Sequence, residues 1–245
     1  MNRRDTLLSL LLAGVCTAGQ AGTAKMAHPW SAIAPLVAGA YSGICGERPG
    51  GADKPGKITV DADGKARAPG MMFDPRDSQL MELWRGREGK TVQSKVVLRA
   101  EYEAAYFILL PDNGAYSAAL KEGEQTLGCD GVAAPARLNG QPLALSLAPL
   151  LDASRTIECR TGAEAPPRDA LFRLARGKVQ LGDRTFDLTQ PGTETLSVGK
   201  GRGMQYGFEL NDGRAFTVLY DVRGGVKGAA LYEHGEPVLG CGSDE

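Results

Sequence analysis

Residues that carry out catalysis are scarce in this sequence. It holds two histidines, His28 and His234, in 245 residues. It contains no Cys-x-x-Cys pair, no His-Glu-x-x-His run and no Gly-x-Ser-x-Gly elbow, which are typical of redox proteins, zinc hydrolases and serine hydrolases. We therefore predict a binding function rather than an enzymatic one, with no cofactor and no bound metal.

The chain also lacks an excess of charge and a long apolar run. Lysine and arginine total 28 against 29 acidic residues, which gives a formal net charge of −1. This balance argues against a nucleic-acid partner, because phosphate backbones require a basic surface. No stretch reaches the roughly 18 apolar residues of a membrane-spanning helix, so we predict no transmembrane segment in the mature chain.

Residues 1–24 have the parts of a cleavable signal peptide. A basic start at 3–4 precedes an apolar run at 7–15, and small residues follow, with Ala21 or Ala24 before the cut. The general secretion route and the twin-arginine route both stay open. We predict a bacterial protein that is periplasmic or secreted.

The mature chain has two similar halves. Each begins with an apolar segment before a cysteine, Cys45 or Cys159, and each ends in Leu-Gly-Cys, at 127–129 and 239–241. Chance similarity between glycine-rich β sequences is the alternative to a tandem repeat. We predict the following division of the chain: a first β unit over 28–130, a linker over 131–142 and a second β unit over 143–245.

Turn residues predict the fold of each unit. Aromatic residues make up only 6% of the chain, whereas glycine is abundant, with 33 residues. Asp63-Gly64, Asn113-Gly114 and Asn211-Asp212-Gly213 separate short apolar runs, as hairpin turns do. We predict a mainly β fold: two tandem antiparallel barrels or sandwiches, each with a short apolar opening segment.

The cysteines fit an oxidising compartment. Cys16 leaves with the signal peptide, and we expect no lipid anchor there because the residue before it is not small. The four remaining cysteines allow three connectivities. The similarity of the halves selects Cys45–Cys129 and Cys159–Cys241, and by the chain-entropy model each bond stabilises its unit by about 4–5 kcal/mol.

Carboxylate pairs keep an enzymatic hypothesis open, since acid–base chemistry can use two acids with different pKa values. Asp61-Ala62-Asp63-Gly64 also resembles the start of a calcium loop, although a hairpin turn explains it. His234 is predicted to be a surface histidine in a turn. The candidate acid pairs are Asp61 with Asp63, Glu101 with Glu103, and Glu233 with Glu236.

The segment 199–206 is the candidate binding loop. Its glycines leave the backbone open to a partner, and Lys200, Arg202 and Tyr206 could contact that partner. A flexible hairpin loop without a binding role is the alternative. If the loop binds, we expect it to enter an acidic cleft, with Arg202 paired to a carboxylate.

The second unit resembles the periplasmic and membrane-bound inhibitors of C-type lysozymes. The shared features are export, cysteines near the first and last strands, and the Gly-x-x-Tyr pattern of residues 203–206. That family is a small antiparallel barrel with one disulfide, and its Ser-Gly-x-x-Tyr loop plugs the carboxylate-lined cleft of lysozyme. Arg202 stands at the position of the family's serine.

These features together predict an exported envelope binding protein. The resemblance implies an inhibitor of a lysozyme-like cell-wall hydrolase that acts through Lys200, Arg202 and Tyr206. The alternative is a structural or ligand-binding periplasmic module without inhibitory activity. In that case Trp84 and Tyr106 could stack on a glycan, unless they pack in the core.

Overall fold

A computed structural model describes residues 29–47, 50–88, 91–99, 105–111, 114–133, 135, 138, 141–162, 165–200 and 203–242. The predicted signal peptide, 1–24, and Cys16 lie outside these residues. The fold is mainly β, with short helices, and the prediction of two tandem antiparallel β units is confirmed. Among the described residues, none of the helices has the length and apolar composition that spanning a bilayer requires.

The first unit has one α-helix and nine strands in its described residues. These elements are α1 (Trp30–Val37), β1 (Gly39–Glu47), β2 (Lys54–Val60), β3 (Ala66–Ala68), β4 (Met71–Phe73), β5 (Leu80–Glu88), β6 (Thr91–Arg99), β7 (Ala105–Pro111), β8 (Tyr116–Glu122) and β9 (Gln125–Gly131). A short 3-10 turn, Pro75–Asp77, connects β4 to β5.

The second unit repeats this order of elements with two short helices at its start. Its described elements are α2 (Leu143–Ser146), α3 (Ala148–Leu151), β10 (Ala153–Arg160), β11 (Arg168–Ala175), β12 (Lys178–Leu181), β13 (Arg184–Asp187), β14 (Gly192–Gly199), β15 (Gly203–Leu210), β16 (Arg214–Tyr220), β17 (Val226–Glu233) and β18 (Glu236–Gly242). The predicted linker, 131–142, lies between β9 and α2.

The strands of each unit form an incomplete antiparallel ring. In the first unit the spatial order is β4-β3-β2-β1-β9-β8-β7-β6-β5, and the first strand pairs with the last. The second unit has the matching order β13-β12-β11-β10-β18-β17-β16-β15-β14. Within the described residues no ladder joins β4 to β5, or β13 to β14, so each ring has one opening.

Alternating side chains fill the rings. Phe216, Val218 and Tyr220 of β16 point inward and are buried, as the two-residue period of a strand requires. The apolar opening segments supply the rest of the core, with Ile33 in the first unit and Leu147 in the second both fully buried. The predicted opening segments are therefore short helices packed against the sheet.

A tyrosine holds the end of each opening helix. The Tyr41 hydroxyl donates to the Val37 carbonyl at 2.7 Å, and the Tyr220 hydroxyl donates to the Leu151 carbonyl at 2.6 Å. The carbonyls occupy corresponding places, whereas the tyrosines come from β1 and β16. Both bonds satisfy a helix-end carbonyl that would otherwise be buried without a partner.

The predicted disulfides are confirmed. Cys45 bonds to Cys129 and Cys159 to Cys241, over 84 and 82 positions of the chain. In each unit the two cysteines lie directly opposite each other on the first and last strands. Each disulfide therefore fixes the ladder that joins the start of a unit to its end.

The two units share one continuous sheet through a seam that we define as the β5–β14 ladder. Leu83 pairs with Leu196 at its centre, with Met81–Val198 on one side and Arg85–Glu194 on the other. Because these are the strands beside the opening of each ring, the seam joins like to like, as in a two-fold contact between identical subunits. No sequence pattern predicted this ladder.

Replacing Cys159 and Cys241 by serine should lower the free energy of unfolding by about 2–5 kcal/mol, because the unfolded chain regains the freedom of a long loop. Urea unfolding followed by circular dichroism measures the change. Both tryptophans, Trp30 and Trp84, belong to the first unit, so their fluorescence follows that unit separately. A double variant as stable as the parent would contradict the prediction.

Candidate functional site

Most of the candidate binding loop, 199–206, belongs to strands β14 and β15, and only its tip connects them. Gly199 pairs with Gly203 across the β14–β15 hairpin, so three residues connect the strands. Lys200 is exposed at this tip, and its backbone N–H donates to the Gln79 carbonyl at 3.0 Å. Arg202 lies outside the described residues. The tip is therefore tied to the start of β5 in the first unit.

Tyr206 lies inside the second unit and is fully buried. Its hydroxyl donates to Glu194 Oε1 at 2.9 Å. Burial, followed by the neighbouring Glu194 charge, raises the pKa of Tyr206 well above its usual range. Side chains of a strand alternate between its two faces, and Tyr206 lies on the inward face. Its side chain therefore does not reach the surface, where the predicted contact with a partner would take place.

Three other candidate residues, Tyr106, Trp84 and His234, are explained by packing or by a turn. Tyr106 is fully buried in the first unit, so it packs in the core and offers no surface for a glycan. Trp84 is partly buried, and the Lys95 Nζ atom lies 4.8 Å from its ring centroid. His234 is exposed in the β17–β18 turn, as predicted, and its backbone N–H donates to the Gly213 carbonyl at 2.8 Å.

The predicted carboxylate pairs do not form a reaction centre in the described residues. Asp61 Oδ1 accepts from the backbone N–H groups of Asp63 and Lys65, which closes the β2–β3 turn. Glu233 forms an ion pair with Arg184 at 3.3 Å. Glu101 and Glu103 lie outside the described part. No group of three or more histidine, cysteine or acidic side chains suited to a metal occurs among the residues described.

A buried carboxylate that sequence reasoning missed lies at the seam. Glu194 is fully buried. Its Oε2 atom accepts from Arg85 Nη1 at 3.2 Å and from the Leu143 N–H at 2.9 Å. Its Oε1 atom accepts from the Ala144 N–H and the Tyr206 hydroxyl, both at 2.9 Å. Four donors thus compensate the carboxylate for the loss of water.

The donors to Glu194 come from three parts of the chain. Arg85 belongs to the first unit, the two backbone N–H groups begin α2, and Tyr206 lies in the second core. Ion pairs of this kind contribute little net stability, but removing one partner leaves a buried charge uncompensated. Glu194 therefore ties the seam, the start of the second unit and its core to one arrangement, which is a structural role.

A cleft of about 870 Å³ opens on the second unit at its unpaired edge. One wall is the three-stranded arm β11-β12-β13, and the other is the β15–β16 turn. Within the arm, β11 and β12 are connected by a two-residue hairpin turn at Arg176 and Gly177, which both have positive φ. The polar residues that line it are Arg173, Arg176, Lys178, Gln180, Thr185 and Gln190, together with Asp187 and Arg214.

The cleft is cationic. Arg173, Arg176 and Lys178 are exposed, and no ion pair within 4.0 Å holds their side chains among the described residues. Arg214 is already bound to Asp212 by two hydrogen bonds. The described wall therefore offers three cations to a ligand, against the single acid Asp187.

Asp187 remains ionised beside these cations. Hydrogen bonds from the Thr189 side chain and backbone lower the pKa of Asp187, and the Lys178 charge acts in the same direction. A carboxyl with a lowered pKa is a weak proton donor at neutral pH. The cleft is thus suited to hold an anion and is poorly suited to acid catalysis.

Comparisons with models of protein families, with curated proteins and with solved structures found no match. Any function proposed for the chain therefore rests on its own side chains and their geometry.

The sequence carried a weak signal for the cleft. Arg173, Arg176 and Lys178 fall within six positions, but basic residues on a strand usually face solvent without a binding role. The tight turn at 176–177 and the opening between β13 and β14 bring them to one concave surface. Only the long-range strand order provides that concavity.

Replacing Glu194 by alanine should lower the free energy of unfolding by about 3–5 kcal/mol, because it leaves Arg85 and the start of α2 without their acceptor. Urea unfolding monitored by circular dichroism measures the loss. Glu209 is exposed on the neighbouring strand β15, and Glu209→Ala is the matched control, expected to change stability by less than about 0.5 kcal/mol. Equal effects of the two variants would contradict the structural role of Glu194.

Proposed function

We propose that this chain is an exported binding protein whose second unit holds an anionic ligand in the cationic cleft. The observation that carries the proposal is the set of three exposed cations, Arg173, Arg176 and Lys178, at one concave surface that has a single acid, Asp187. Binding sites usually combine a formed cavity with a few converging polar groups, and a cleft lined by one sign of charge attracts the opposite sign.

Export is part of the proposal. Two disulfides are ordinary in the periplasm and outside the cell but rare in the bacterial cytoplasm. The signal-peptide features of residues 1–24 point to the same compartment. An anionic ligand fits this compartment, since envelope polymers commonly carry carboxylate or phosphate groups.

We also propose that the two units arose by duplication of one module. The strand orders match, and a lysine and an aspartate occupy corresponding positions in the arm β11-β12-β13 and in its counterpart β2-β3-β4. Lys65 lies 3.3 Å from Asp74 in the first unit, and Lys178 is the register partner of Asp187 across β12–β13 in the second. A buried phenylalanine precedes each of these aspartates, at 73 and 186. Shared local detail of this kind supports common descent more strongly than a shared fold does.

The cleft should bind digalacturonate, a small sugar acid with two carboxylates, at low ionic strength, where charge attraction is long-ranged. Arg173→Gln and Lys178→Gln should each weaken binding by about tenfold, because each removes a charge-assisted hydrogen bond. Isothermal titration calorimetry measures the dissociation constant.

The matched control is Arg168→Gln. Arg168 is exposed at the start of the same strand, β11, and lies away from the cleft. This variant removes the same charge and should change the dissociation constant less than about twofold. Equal weakening by Arg168→Gln and Arg173→Gln would mean that binding follows net charge, which contradicts the cleft proposal.

A second candidate function is inhibition of a lysozyme-like hydrolase. It is supported by the position of Lys200, exposed at a hairpin tip that a hydrogen bond to Gln79 holds in place. A fixed cationic tip suits insertion into an acidic cleft, since little loop entropy is lost on binding. In this proposal Lys200 and Arg202 contact the enzyme, and Tyr206 supports the hairpin from inside.

If the chain inhibits a C-type lysozyme, Lys200→Ala combined with Arg202→Ala should weaken inhibition by at least about tenfold. Clearing of a cell-wall suspension measures residual lysozyme activity. Arg168→Ala is the control and should inhibit like the parent. Undiminished inhibition by the double variant would reject the hairpin tip as the contact.

A further inference from the structure

A second depression lies beside the cleft, where the two units meet. Its volume is about 220 Å³, and its walls combine the end of the β5–β6 hairpin with the segment between β13 and β14. Gln190 lines both this depression and the cleft. Asn211 of the depression adjoins Leu210 of the cleft in the chain. The two cavities are therefore adjacent, and both are lined by the β13–β14 segment and by the β15–β16 turn.

The depression also presents an exposed cation, which belongs to the first unit. Arg87 is exposed in its wall, and no ion pair within 4.0 Å holds its side chain among the described residues. Thr193 and Asn211 add neutral hydrogen-bonding groups. Arg85 also lines this wall, but its ion pair with Glu194 commits it to the seam.

We propose that the cleft and the depression form one groove for a linear glycan that carries carboxylates on successive sugars. This inference rests on the proposed anion-binding function of the cleft and extends it. The chain of sugars occupies the cleft, crosses Gln190 and reaches Arg87 of the first unit.

The mixture of groups favours a glycan over a bare polyanion. Arginines match carboxylates through paired hydrogen bonds. Thr185 and Gln190 line the same surface, and their side chains can bond sugar hydroxyls, whereas the Gln180 side chain already donates to the Gly182 carbonyl at 3.3 Å. A polymer with charge alone would leave Thr185 and Gln190 without partners when it displaced their water.

The seam makes such a groove possible. Arg87 belongs to β5, and the β5–β14 ladder fixes that strand against the second unit. The spacing between Arg87 and the cleft is therefore set before the ligand arrives, so binding loses little entropy in ordering the two units. Additional sugars then add contacts within one binding event.

Oligogalacturonates of increasing length test the groove by calorimetry with the full-length protein. In the parent, affinity should rise with length and then level off once the chain reaches Arg87. Arg87→Gln should weaken binding of the long oligomers by about tenfold while leaving digalacturonate unchanged. Arg99→Gln is the control, since Arg99 is exposed at the opposite end of the same hairpin, β5–β6.

The outcomes separate this inference from the proposed function. Digalacturonate binding that depends on Arg173, with no further gain for longer oligomers, would overturn the groove and leave the cleft intact. Loss of all binding in the parent would overturn both. Polyphosphate of equal charge that binds as tightly as the long oligomers would reject the glycan as the ligand class.

Discussion

The β5–β14 ladder is the constraint on which the rest of the molecule depends. Because each of these strands pairs across the seam, neither is available to close its own ring. An unpaired strand edge readily accepts a strand from another chain, and here the edges of β5 and β14 cover each other. The cleft of the second unit exists because β13 is left without β14 as a neighbour.

The ladder is not symmetric, and the difference fixes its register. The centre is the apolar pair Leu83–Leu196, and the next inward-facing pair is apolar on one side and ionic on the other. A slip of the strands by two residues would place buried Glu194 opposite Leu83 in one direction and Arg85 opposite Leu196 in the other, so either slip separates Glu194 from Arg85. An unpaired buried charge costs several kcal/mol, so Glu194 and Arg85 specify one pairing of the units even if they add little net stability.

Local patterns predicted the elements, whereas their assembly was not predictable from them. The turn at 211–213 and the four paired cysteines depend on nearby residues or on the similarity of the halves, and both were predicted correctly. Tyr206 was misplaced because a Gly-x-x-Tyr pattern does not show which face of a strand the tyrosine occupies. The seam and the cleft were missed because strand alternation is the same at an edge, a seam and a barrel wall.

The arm β11-β12-β13 of the second unit differs from its counterpart β2-β3-β4 in the first, and the difference is the reason that we propose binding for the second unit. In the first unit β4 packs on β8, and the Met72 N–H donates to Glu122 Oε2 at 3.2 Å, which closes the arm down. In the second unit a cavity of about 390 Å³ lies between β13 and β17, bridged at its rim by the Arg184–Glu233 ion pair. The cavity separates the arm β11-β12-β13 from the rest of the ring, and an exposed ion pair is only a weak restraint on that separation. The arm therefore has a concave surface on both of its sides. In the proposed groove the first unit contributes Arg87 at the seam, whereas the cavity of about 340 Å³ on its described residues lies elsewhere, between β1, β2 and β9.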